Sequence, residues 1–273
     1  MHDSDFVNYH GYKMHFKVFG NGSRPLLAFH GFGGSSNDWS IFENQLGNEF
    51  TLYAFDIFYH GKSKIDTRIN EPNFGKVELS ELVDLFMSTR KISRVSLIGY
   101  SLGGKLCMCL IELLPGKIDQ VFLMAPDGIK IGFWNKFVSQ TKLGRLIFRQ
   151  VVKNPNPALL LIELCRRTKL IPLKVDSFLR IQLAEEDNRK RILGLWVLFK
   201  DMIPDNRRIK KHITRYNINY IAFFGRYDLI IPLKYGLEFQ KGLKKPGVEI
   251  LECGHVMINC TTQICESIKS KLT

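Results

Sequence analysis

Long apolar runs are missing from this chain of 273 residues. A membrane-spanning helix needs about 18 consecutive apolar residues, and the longest stretches here, such as "ALLLIELC", reach about half of that. The opening "MHDSDFVNYHGYKM" is polar and acidic and lacks the apolar core of a secretory signal. Six cysteines, at 107, 109, 165, 253, 260 and 265, form no C-x-x-C pair and no metal-ligand spacing. That excludes a zinc module and favours buried thiols in a reducing compartment. Internal repeats, low-complexity linkers and any groove-reading or base-stacking motif are also absent. Together these absences predict a cytoplasmic globular protein with no stable membrane insertion and no nucleic-acid partner.

Acidic residues are scarce in one region. The net charge is +13, and residues 127–215 hold 20 Lys and Arg against 8 Asp and Glu. A basic surface suits anionic ligands or membrane headgroups. Here the cations are scattered among apolar helical positions, the pattern of solvated outer helix faces.

Short apolar runs alternate with amphipathic ones over most of the chain. "GYKMHFKVFG" reads as a half-exposed hairpin strand ending at "GNGSRP". "PLLAFHG", "FTLYAFDI", "RVSLIGY", "QVFLMAP", "NYIAFFGRYD" and "GVEILE" read as buried strands. Between them, "NDWSIFENQLGNE" and "KVELSELVDLFMSTRK" have helical period. Buried strands separated by helices predict a mainly parallel sheet covered on both faces. After Pro126 the strand rhythm stops for about 80 residues of helical segments. The expected organisation is a sheet domain, 1–126 and 208–273, interrupted by a helical insert, 127–207. Each insert helix carries an apolar stripe, with Leu159, Leu160, Ile162, Trp196 and Phe199 among its members. Apolar stripes are expected to be buried over the sheet domain, favouring uncharged ligands beneath them.

Gly99-Tyr100-Ser101-Leu102-Gly103 is a G-x-S-x-G pattern with a strand before it and a helix after it. In so tight a turn, side chains flanking the serine collide with neighbouring backbone, and glycine removes the collision. The serine hydroxyl then projects above the sheet. Alone it is a weak nucleophile and needs a base and a group to orient that base. Asp228 ends "FFGRYD" at a strand's carboxyl end, and His255 follows the last strand in "ECGH". The order Ser…Asp…His is the one this architecture uses. Asp127, in "LMAPDG", is the rival acid, with a cap or turn as its plainer role. His2, His10 and His15 fall in the N-terminal hairpin, and His30 and His60 fall in loops suited to structural hydrogen bonding. The glycines of "HGFGGSSNDW" free the backbone to turn the Phe32 N–H inward, beside the Leu102 N–H, as a pair of oxyanion donors.

With "HGFGG", "DIFYHGKS", "GYSLGG", "GRYDLIIP" and "CGH" in this order, essentially the whole chain resembles the α/β-hydrolase superfamily, in its capped, esterase-like branch. In the second motif Asp56, Gly61 and Ser63 match the family pattern, while Tyr59 stands where a glycine is usual. The resemblance implies a mainly parallel eight-stranded sheet with a helical cap inserted after strand 6. It also implies a serine hydrolase without metal or cofactor, acting on a small-molecule carboxylic ester. A thioester, a C–C bond beside a ketone, a lyase or perhydrolase reaction, or silent ligand binding would use the same parts. Phe32, Tyr100, Trp196 and Phe199 are the expected substrate contacts.

Overall fold

The computed structural model describes residues 4–69, 72–130, 133–245 and 247–272. They divide into two units, one holding residues 1–130 and 202–273 and the other 131–201. Residues 127–130 and 202–207, within the insert marked from sequence, therefore group with the sheet.

In the first unit β1 (Ser4–Tyr9) and β2 (Tyr12–Phe19) form an antiparallel hairpin. His10 and Gly11, both at positive φ (44° and 85°), turn it. β3 (Arg24–Phe29) follows, then a 3₁₀ turn, Ser36–Phe42, and the four-residue α1 (Glu43–Leu46). The segment expected as one helix is thus split: Ser35 caps a tight first turn in a reciprocal box with Asp38. β4 (Phe50–Phe55), a two-residue β5 (Lys64–Ile65) and α2 (Lys76–Thr89) come next. They lead to β6 (Val95–Tyr100), α3 (Leu102–Leu113) and β7 (Ile118–Met124).

The sheet runs β1-β2-β4-β3-β6-β7-β8-β9, where β8 is Asn219–Gly225 and β9 is Val248–Leu251. Their number matches the eight that the resemblance implies, β1 being the one not marked as a strand in the sequence; β5 lies off the path, paired to β2. The insert follows β7, the sixth strand when β5 and its two residues are set aside. All pairings from β4 to β9 are parallel. Leu26–Phe29, Leu97, Ile98, Val121, Phe122 and Ile221–Phe224 are fully or almost fully buried, as a sheet covered on both faces requires. The chain winds from β3 to β4 on one side and to β6 on the other. The carboxyl ends of β3 and β6 thus flank the crevice where such sheets place their sites.

The second unit holds α4 (Phe133–Gln140), α5 (Lys142–Lys153), α6 (Asn156–Arg167), α7 (Leu173–Ala184) and α8 (Glu186–Leu198). α4, α5 and α7 pack on α8, while α6 packs on α7 and α5. Arg189 of α8 is buried, and its guanidinium donates to Val152 O (3.0 Å), Leu183 O (2.6 Å) and Ala184 O (3.1 Å). It satisfies last-turn carbonyls of α5 and α7 that have no helical partner. The expectation that every stripe is buried fails for α6: none of its residues is buried, and Leu160 is 72% exposed. After the insert, α9 (Asn206–Arg215), α10 (Leu233–Gln240) and α11 (Thr261–Ser270) belong to the sheet unit.

Candidate active site

β6 ends at Tyr100 and α3 begins at Leu102, leaving Ser101 as the single residue between them. It sits at φ 49°, ψ −110°, a conformation that L-residues rarely adopt. The Ser101 N–H donates to Met124 O (2.8 Å), and its carbonyl accepts from Asp127 N–H (2.9 Å) and Lys105 N–H (3.3 Å). The turn closes only because its flanks are glycine. A Cβ on Gly99 would meet Gly103 O at 2.5 Å, and one on Gly103 would overlap the backbone of Phe29.

The loops that leave β8 and β9 at the same carboxyl edge supply this serine's partners. β8 ends in a turn where Asp228 N–H returns to Gly225 O (3.2 Å). Asp228 is 4% exposed; one carboxylate oxygen accepts from Ile230 and Ile231 N–H (2.8 and 2.9 Å), and the other lies 2.7 Å from His255 Nδ1. Because the carboxylate only accepts, Nδ1 carries the imidazole proton and Nε2 is left as an acceptor. Ser101 Oγ stands 3.1 Å from that Nε2. The structure therefore brings Ser101, His255 and Asp228 into one hydrogen-bonded line. Asp127 is not part of it, since its carboxylate is paired with buried Lys105 at 2.5 Å.

Tyr100, expected as a substrate contact, lies beside the histidine. Its hydroxyl donates to His255 O (2.9 Å), and its ring lies against the imidazole, centroids 5.4 Å apart. Burial, with the Asp228 charge nearby, pushes its pKa well above the ordinary tyrosine value. Trp196 and Phe199 lie in the helical unit, where Trp196 packs on Phe148 at 5.3 Å and Phe199 is buried. Phe32 follows β3 in a turn closed by Gly34 N–H to Gly31 O (3.1 Å), and its ring meets His60 edge-on at 5.4 Å. Leu102 is the first residue of α3, where backbone N–H groups have no partner within the helix.

Sequence reasoning left His30 and His60 as structural, and the structure specifies how. Gly33 N–H donates to His60 Nε2 (2.9 Å), and His60 Nδ1 lies 3.1 Å from Phe58 O, so a neutral imidazole fixes the loop after β3. Ile57 N–H donates to His30 Nε2 (2.9 Å), and His30 Nδ1 donates to Gly31 O (2.7 Å). Burial pushes the His30 pKa down to about 4 despite the opposing pull of that carbonyl and of Asp56. Asp56 braces the same region. Burial raises its pKa, but N–H groups of Lys62 and Ser36 and the His15 ring outweigh it and hold the carboxyl below its usual value. Tyr59 adopts φ 64°, the left-handed conformation for which the usual glycine is suited. His2 lies outside the described residues. Among the described residues no group of His, Cys, Asp and Glu is arranged to hold a metal, and no helix is long and apolar enough to cross a membrane.

Residues 24–258 match the sequence model of the α/β-hydrolase fold family. The chain belongs to that family. Among curated relatives, an uncharacterized protein of Mycobacterium tuberculosis (strain ATCC 25618 / H37Rv) is 31% identical over 127 residues, 45% of this chain and 35% of that one. The dihydrolipoyllysine-residue acetyltransferase component of the acetoin cleaving system of Pseudomonas putida is 26% identical over 249 residues, 89% of this chain and 61% of that one. The chain thus spans between about a third and three fifths of the length of these relatives. Its fold is similar to that of a thermophilic esterase from Thermogutta terrifontis, with a TM-score of 0.70, 14% identity, and coverage of 100% of this chain and 98% of the other.

Proposed function

We propose that this α/β hydrolase cleaves carboxylic esters of small to medium acyl or aryl groups through an acyl-enzyme on Ser101. The hydrogen-bonded line Ser101 Oγ–His255 Nε2–Asp228 carries the reading. His255 Nε2 takes the hydroxyl proton as Oγ attacks the ester carbonyl, and Asp228 holds the imidazole in the required tautomer and stabilises its charged form. The oxyanion is received by the N–H groups of Phe32 and Leu102, each donor contributing roughly 10²–10³ in rate. The imidazolium returns its proton to the leaving alcohol. Water, deprotonated by the same Nε2, then releases the acid and restores Ser101. All of these residues belong to 1–126 and 208–273, which we read as the domain that carries the chemistry; the insert 127–207 is then the cap that gives this branch its substrate range.

A fluorophosphonate probe run beside a series of p-nitrophenyl esters of increasing acyl length tests the proposal. Labelling is expected at one serine and is lost in Ser101→Ala, together with ester turnover. Labelling that survives in that variant overturns it, and so does a wild-type protein that is neither labelled nor active on any ester of the series.

A further inference from the structure

In the helical unit, α5 and α6 turn apolar side chains outward. Leu143, Leu146 and Ile147 on α5 and Leu160, Leu161 and Leu164 on α6 are between 48% and 72% exposed. On each helix these positions recur at the spacing of a single face. On α5 the opposite face is spoken for by buried Gly144 and Val152. Scattered surface leucines need no explanation, but an outward stripe on each of two packed, consecutive helices does.

The charge beside these stripes identifies the occupant. Lys142, Arg145, Arg149 and Lys153 form a second stripe along α5, flanking the apolar one. Arg166, Arg167 and Lys169 cluster at the end of α6. From Lys142 to Leu173 the sole acid is Glu163, bound to Arg166 at 2.5 Å, Arg167 at 2.9 Å and Arg180 at 2.7 Å. In a symmetric pairing of two copies through this face, like charges would meet. Hydrocarbon bordered by cations in excess of that one acid instead matches the acyl chains and anionic headgroups of a phospholipid surface.

We propose that the α5–α6 face docks the protein reversibly on an anionic lipid bilayer, the leucines entering the headgroup–acyl boundary and the Lys and Arg side chains lying among the phosphates. The proposal does not depend on the chemistry assigned to Ser101. It is tested by floating the full chain with vesicles of phosphatidylcholine alone and of phosphatidylcholine with phosphatidylserine, at low and high salt. The expected result is binding at least about tenfold stronger to the phosphatidylserine vesicles, lost at high salt. Leu160→Ser/Leu161→Ser/Leu164→Ser is expected to weaken it by about tenfold or more, and Lys142→Gln/Arg149→Gln to weaken it on phosphatidylserine vesicles only. Unchanged melting temperature and unchanged fluorophosphonate labelling keep misfolding separate from lost docking. Failure of wild type to float with phosphatidylserine vesicles at low salt overturns the proposal, and so does equal binding to both vesicles or full binding by the leucine variant. Self-association of wild type that the leucine variant lacks would assign the face to a second copy and overturn it too.

Discussion

The two units use leucine in opposite ways. In the sheet unit Leu26, Leu27 and Leu97 are completely buried between layers of helix; in the helical unit Leu160, Leu161 and Leu164 face outward. Amino-acid type and helical period alone do not separate these cases. A strand in the middle of a parallel sheet has neighbours on both edges and both faces, so its apolar side chains have nowhere else to go. A peripheral helix such as α6 has one packed side, and which stripe meets it depends on partners that the helix's own sequence does not name.

The contrast yields measurable differences, beginning with chemistry. Asp228→Asn, confined to the sheet unit, is expected to lower kcat about 10⁴-fold with the fold intact, because Nδ1 no longer donates to a carboxylate and the wrong tautomer prevails. Asp127→Asn, which disturbs only the pair with Lys105, is expected to do far less, and steady-state kinetics on any turned-over ester ranks the two. Next, urea unfolding should show Leu97→Ala losing about 2–5 kcal/mol, from the transfer and cavity terms. Leu160→Ala should stay within about 0.5 kcal/mol of wild type, as exposed positions do. Equal losses at the two positions would mean that α6 is covered in solution.

Acid should act through the sheet unit as well. His30 has its pKa lowered to about 4 in the folded protein from an ordinary 6.5. The unfolded chain therefore gains a proton below pH 6.5 that the native state refuses until about pH 4. That difference removes up to about 3 kcal/mol of stability across the window and adds no further slope below it. Urea midpoints measured from pH 7 to 4 should fall accordingly. His30→Gln, whose amide oxygen can still accept the Ile57 N–H, should flatten the fall. The smallest effect is a gain. Tyr59→Gly relieves the left-handed backbone at φ 64° and should raise stability by about 0.5 kcal/mol after the added freedom of the unfolded chain is subtracted.

Most of the sheet is readable from sequence alone, because parallel strands appear there as unbroken apolar runs. β1 is not. "SDFVNY" buries one residue in six and pairs along one edge only, so its composition resembles a loop. In the site, the proximity of Ser101, Asp228 and His255 could be anticipated because the turn pattern and the chain order constrain one another. The bonds from Tyr100 to His255 O and from Gly33 to His60 could not. Each joins loops that are remote in sequence, and neither a tyrosine nor a histidine advertises which distant backbone group it will meet. The Lys105–Asp127 pair was hidden for a different reason: a lysine inside an apolar helix reads as a surface residue until the half-buried acid it pairs with is seen.

β7 and β8 lie side by side in unbroken parallel register from Gln120 to Met124, although roughly 90 residues separate them along the chain. The free energy of closing such a crossover rises only with the logarithm of its length. Extending it from about 10 to 80 residues adds roughly 2 kcal/mol in the flexible-loop limit, and ordered helices change even that small increment. The seam between these strands is therefore a permissive point for natural variation and for grafting. Foreign segments spliced between Lys130 and Met202 can alter what the molecule meets while leaving the register of the sheet, and the turn that carries Ser101, undisturbed.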